Sequence, residues 1–172
     1  MIPPADPSLV PVLAQLKVIA LDVDGVLTDG TFWWGSGGEE FKRFTFRDIM
    51  GLSMARKAGI ILALVSGEDN PQLTRLASKM SIADVFPGCR EKGKVVDEII
   101  AKHRLAAGEI CFMGDDVNDL SAMQAAGLGI APADAHPAAI AAARIVTTRK
   151  GGEGAVRELI DAVLAAKNQM RS

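Results

Sequence analysis

Along the chain, short apolar runs alternate with stretches in which apolar residues recur at three- and four-residue spacing. Lys17 to Leu21 (KVIAL) is rich in β-branched residues and runs into carboxylates, the pattern of a buried strand in a parallel sheet. Similar runs stand at Ile60 to Val65 (IILALV) and Ile110 to Met113 (ICFM), with weaker ones around Leu128 to Ile130 and Ile145 to Val146. Helical spacing fills the intervals at Asp48 to Lys57, Pro71 to Met80, Lys92 to Arg104 and Asp119 to Ala126, and Glu153 to Lys167 predicts a last amphipathic helix. Parallel neighbours need a crossover element between them, so this alternation predicts an α/β domain with a mostly parallel sheet flanked by helices.

One segment breaks the pattern. Asp29 to Phe46 (DGTFWWGSGGEEFKRFTF) has two extended aromatic stretches around a glycine-rich turn, which predicts a projecting β-hairpin over about residues 29–46. Trp33 and Trp34 are adjacent and so face opposite sides of a strand; the hairpin can bury only one against its own domain. The other is expected at a subunit contact, the alternative being local packing of both rings.

The 172-residue length suits one domain, taken here as residues 17–172 behind a loose, proline-bearing leader of residues 1–16. The leader has neither a basic start nor an apolar stretch long enough for a signal peptide or membrane span, so a cytoplasmic location is expected. With a formal charge of -2 and no Lys/Arg run longer than two, the chain offers no field for nucleic acid. Cys89 and Cys111 lack CxxC spacing and are expected to be free thiols with no zinc between them.

In an open parallel sheet, ligands sit beyond the carboxyl ends of the strands. The first such end reads Asp22-Val23-Asp24-Gly25-Val26-Leu27-Thr28-Asp29. A strand-end carboxylate, Asp22, can attack phosphorus to form an acyl phosphate, and Asp24 can protonate the leaving alkoxide and then deprotonate water. Gly25 permits a sharp turn whose N–H groups can face phosphate oxygens. Carboxylates held this close repel one another unless a cation lies between them. The third strand end, Gly114-Asp115-Asp116-Val117-Asn118-Asp119, offers the oxygen ligands a hard ion such as Mg2+ takes, with Asp115 the direct ligand and Asp116 and Asp119 in support. After the second strand, Ser66 and the Gly67 N–H can donate to phosphoryl oxygens, and Lys92 can neutralise charge there, with Lys94 its rival.

Gly88 to Val95 (GCREKGKV) nearly matches the GxxxxGK[ST] phosphate loop. It lacks the hydroxyl that would bind magnesium, and no clear strand is predicted before Gly88, so nucleoside triphosphatase chemistry is not expected.

Taken in order, DVDGVLTD, the serine of VSG, Lys92 and GDDVND resemble the haloacid dehalogenase superfamily, in which phosphatases carry Asp two residues after the nucleophile. The resemblance implies a Rossmann-like sheet, Mg2+ held by Asp22, the Asp24 carbonyl and Asp115, and phosphate held by Ser66 and Lys92. Over roughly Lys17 to Ala166, DVDGVLTDG, FxxRD at Phe44 to Asp48, GDDVND, ADAHP and GGEGAVRE are similar to the capless group that contains the 3-deoxy-D-manno-octulosonate 8-phosphate phosphatases. That likeness implies no cap domain, a homotetramer in which hairpins assemble, and a sugar-acid phosphate substrate bound with the help of Gly25, Gly67, Glu68 and Arg47. Gly67-Glu68 stands where the group usually has Gly-Arg; an arginine there could pair with a substrate carboxylate, and a glutamate cannot. It is similar instead to a group acting on nonulosonate 9-phosphates, which keeps that substrate as an alternative beside a non-catalytic binding or assembly member.

Overall fold

The first apolar run becomes β1 (Val18–Leu21), buried along its whole length at the middle of a sheet. The structure is a computed structural model, and it describes residues 7–170. The further strands are β2 (Phe32–Trp34), β3 (Glu40–Lys42), β4 (Ile61–Val65), β5 (Asp84–Phe86), β6 (Ile110–Met113), β7 (Leu128–Ala131) and β8 (Ile145–Val146). The helices are α1 (Leu9–Ala14), α2 (Phe46–Lys57), α3 (Pro71–Met80), α4 (Lys92–His103), α5 (Leu120–Ala125), α6 (Pro137–Ala142) and α7 (Ala155–Gln169).

Six strands pair in parallel in the order β5-β4-β1-β6-β7-β8, with β2 and β3 as a separate antiparallel hairpin. Because side chains alternate across a strand, Ile19 and Leu21 enter a core with Leu52 of α2 and Val156 and Leu159 of α7. Val18 and Ala20 enter a second core with Val96 and Ile99 of α4 and Met123 of α5. Both faces of the sheet are therefore covered, which is why its strands read as continuous apolar runs. The chain steps outward from β1 through β4 to β5, then returns to the other side of β1 as β6. The resulting switch point, beyond the carboxyl ends of β1 and β6, is where a ligand crevice forms.

Three expectations need correction. β5 does stand ahead of Gly88, and the sequence concealed it because it is three residues long and begins with a charged one. Asp84 is satisfied there by Lys102 and by His103 Nε2 at 2.7 Å, and these contacts hold its carboxyl below the usual range against the effect of burial. The leader is not loose from Leu9 onward: α1 packs on α7, Leu13 and Leu16 are buried, and Lys167 Nζ reaches the Ala14 carbonyl at 2.8 Å. Pro11 is tolerated because it lies in the first turn, where N–H groups have no partner within the helix; residues 1–6 lie outside the described residues. Neither hairpin tryptophan is buried, Trp33 being 54% and Trp34 73% exposed. Trp34 leans on Phe32 with ring centroids 5.1 Å apart, and its Nε1 donates to Glu40 at 3.3 Å.

Asp48, of the FxxRD stretch, ties the hairpin's exit to the last helix. Thr45 caps α2 by accepting from the Asp48 N–H, and the buried Asp48 carboxylate accepts from the N–H groups of Gly154 at 3.0 Å and Arg157 at 2.9 Å at the start of α7. A carboxylate there also meets the positive end of the α7 dipole.

Candidate active site

Asp22 follows β1 directly and stays in the ladder, its N–H donating to the Met113 carbonyl at 2.9 Å. The next residues fold into a tight loop in which the Val23 carbonyl accepts from Leu27 at 2.9 Å and Thr28 at 3.0 Å. Gly25 has φ +84, and a Cβ there would lie 2.0 Å from Asp115 Oδ2, so glycine is required both by the backbone and by the approach of the facing carboxylate. The GGEG segment braces this loop from outside. A Cβ on Gly151 would meet the Gly25 carbonyl at 1.8 Å, and the Gly152 N–H donates to Val26 at 3.0 Å.

Lys92 opens α4, yet only 1% of its side chain is exposed. Its Nζ lies 2.8 Å from Asp22 and 2.6 Å from Asp119, while Lys94 is on the surface beside Glu91. Geometry thus separates two lysines the sequence left as rivals. Carboxylate oxygens of Asp22, Asp115 and Asp119 all lie within 4.8 Å of one another. Asp119 is already committed: one oxygen receives Lys92 and the other receives the N–H groups of Asp115 at 2.9 Å and Asp116 at 3.2 Å. That leaves Asp22 and Asp115 with oxygens for a ligand.

Burial and the Asp119 charge push Asp22 up to about 8 against the pull of Lys92, and burial with Asp119 and Asp116 pushes Asp115 up to about 7. Two buried carboxylates so destabilised as anions, supplied only with oxygen donors, fit a hard divalent cation. Folding raises both above the ordinary carboxylate value, so their contribution to stability is present below about pH 4 and is lost as pH rises through about 7 to 8. Adding Mg2+ is therefore expected to raise the melting temperature more at pH 8 than at pH 5.5. A gain equal at both values in scanning calorimetry would remove these carboxylates as the ligands.

A cavity of about 570 Å³ opens over this cluster, and Asp22, Asp24, Gly25, Gly67, Glu68, Lys92 and Asp115 all line it. Ser66 is not among the lining residues; it is buried next to Gly67, with its Oγ accepting from the Glu68 N–H at 3.1 Å. Its hydroxyl proton remains available to a ligand. Arg47 is not among the lining residues; it is exposed on α2 with Nη1 donating to the Glu153 carbonyl at 3.1 Å. Substrate contact by Arg47 is thus unsupported within one chain, because the first turn of α2 points it toward the start of α7.

A family model for haloacid dehalogenase-like hydrolases matches residues 68–159. A 3-deoxy-D-manno-octulosonate 8-phosphate phosphatase of Salmonella typhimurium is 34% identical over 97% of this chain and 89% of its own length. The chain belongs to the haloacid dehalogenase-like hydrolases. Within them it is a phosphoric monoester hydrolase, the class to which that relative belongs. A phosphatase of the same name from Moraxella catarrhalis, solved with magnesium, phosphate and KDO, superposes with a TM-score of 0.91 at 32% identity, covering 95% of this chain and 94% of that one. The cobalt-bound enzyme of Haemophilus influenzae gives 0.87 at 36% identity over 91% and 92% of the two chains.

Two basic residues of this hydrolase escaped the sequence reading. Lys42, on β3, lies 2.9 Å from Asp24, and Arg90, two residues before Lys92, lines the cavity. Strand alternation does set Glu40 and Lys42 on one face opposite Phe41, but no local pattern says that this face meets Asp24. His136 caps α6 by accepting from the Ala138 N–H at 3.1 Å, a structural use.

Proposed function

We propose that the enzyme cleaves a sugar-acid phosphate, 3-deoxy-D-manno-octulosonate 8-phosphate in the leading reading, through a phosphoryl group carried on Asp22. The observation that carries this is the Asp22 carboxylate, buried at the switch point and held by Lys92 at 2.8 Å on the wall of the cavity. Asp22 attacks phosphorus while Asp24 gives a proton to the departing sugar oxygen; Asp24 then takes a proton from water, which attacks the acyl phosphate and releases inorganic phosphate. The Ser66 hydroxyl, the Gly67 N–H and Lys92 hold the phosphoryl oxygens. Asp22, Asp115 and the Asp24 carbonyl would hold Mg2+, which when bound neutralises charge on those oxygens.

The leaving sugar is the finer question. Glu68 lines the cavity, and because a glutamate at this place resembles the group acting on nonulosonate 9-phosphates, the nine-carbon sugar acid is the second reading. Arg90 lines the same cavity and makes no hydrogen bond or ion pair among the described residues, so its guanidinium is available to a substrate carboxylate. Both sugar-acid phosphates should be assayed with Glu68→Arg and Arg90→Ala. On the octulosonate reading, Glu68→Arg lowers KM for that ester, and Arg90→Ala raises it by about tenfold. If neither exchange shifts the preference, neither residue selects the substrate.

The homotetramer belongs to the same reading, supported by Phe32, Trp33, Trp34 and Phe41, all about half exposed or more on one hairpin. So does the cytoplasmic location expected from the sequence.

A further inference from the structure

Asp24 cannot perform two opposite proton transfers unless its carboxylate is aimed at the leaving oxygen and then at the attacking water. Its own loop does little to aim it: among the described residues the Thr28 hydroxyl reaches Oδ1 only at 3.4 Å. Lys42 does far more. Its Nζ lies 2.9 Å from Oδ1 and 2.9 Å from Oδ2, with 5% of the side chain exposed, and Glu40 Oε1 at 3.4 Å braces the ammonium from behind. The Glu40 carbonyl is fixed in turn by the Gln72 side chain of α3. Lys92 cannot share this task, because its ammonium is taken up by Asp22 and Asp119.

We propose that Lys42, supplied by the hairpin, is the positioning residue for Asp24, holding both oxygens of its carboxylate in line for proton transfer. The inference rests on the phosphatase reading above but not on the identity of the sugar. It also gives the hairpin a part in the chemistry of its own chain, in addition to any part in assembly. Removing the ammonium leaves Asp24 with only the Thr28 hydroxyl at 3.4 Å to aim it and free to rotate away, which harms the chemical step and spares binding of the phosphate, held elsewhere.

The test uses full-length Lys42→Met and Lys42→Arg with Mg2+, on p-nitrophenyl phosphate and on two alkyl esters, the octulosonate phosphate and glycerol 2-phosphate. Lys42→Met is expected to lower kcat on the alkyl esters by about 10- to 100-fold, with KM within about threefold, and Lys42→Arg to restore most of it. The loss should be smaller on p-nitrophenyl phosphate, whose leaving group departs without a proton. Unchanged kcat overturns the proposal. So does an equal loss on every ester together with a lowered melting temperature, which would mean that Lys42 merely supports the hairpin. A wild-type enzyme active on glycerol 2-phosphate but not on the sugar acid would sink the substrate reading and leave the Lys42 comparison intact.

Discussion

Asp22→Asn is expected to lower turnover by at least about a thousandfold while leaving the fold in place. The amide fills the carboxylate's volume but cannot attack phosphorus, so no acyl phosphate forms. Stability survives for a separate reason. Burial already disfavours the Asp22 anion, and Lys92 keeps Asp119 as its partner at 2.6 Å, so the neutral side chain leaves no buried cation stranded. Steady-state turnover of p-nitrophenyl phosphate and a thermal melt decide the matter together. A variant that stays active would show that the phosphoryl group is not carried on Asp22.

Lys92→Met should fail on both counts. Methionine matches the aliphatic stem but strands the buried Asp119 carboxylate without a cation and removes the pull that Lys92 exerts on the Asp22 carboxyl. Breaking a buried pair from one side costs about 3–5 kcal/mol, which in a domain of this size lowers the melting temperature by roughly 10 °C. Activity should fall by at least about a hundredfold, since the phosphoryl oxygens and Asp22 lose the same ammonium. The pairing makes a sharper statement possible: the two substitutions together should lower the melting temperature by less than the sum of the two single losses, because the Lys92–Asp22 contact at 2.8 Å can be lost only once. Additive destabilisation would mean that the two groups are not coupled through their contact.

Much of this was open to local reading because the relevant signals are short in range. The apolar runs at Val18–Leu21, Ile61–Val65 and Ile110–Met113 mark strands covered on both faces, and Asp22, Ser66 and Asp115 follow such runs within a residue or two. Pro71–Met80 was legible to its ends, with Asn70 capping it by accepting from the Leu73 N–H at 2.9 Å. β5 was not, because three residues give alternation too little length to register. α1 was hidden by its proline, since only its packing on α7 shows that the helix is worth forming.

By itself, the sequence determined the alternating architecture, the hairpin and the carboxylates at the strand ends, because periodicity and turn chemistry act over a few residues. The tertiary structure alone decided which groups meet. It chose Lys92 over Lys94 by burying one of two lysines on the same helix, and it committed Asp119 to holding Lys92 and a loop. It also brought Lys42 from the hairpin onto Asp24, left Arg47 at the start of α7, and exposed both tryptophans. Those outcomes depend on strand order and on the angle at which separate segments pack, and neither is written in any local stretch of the chain.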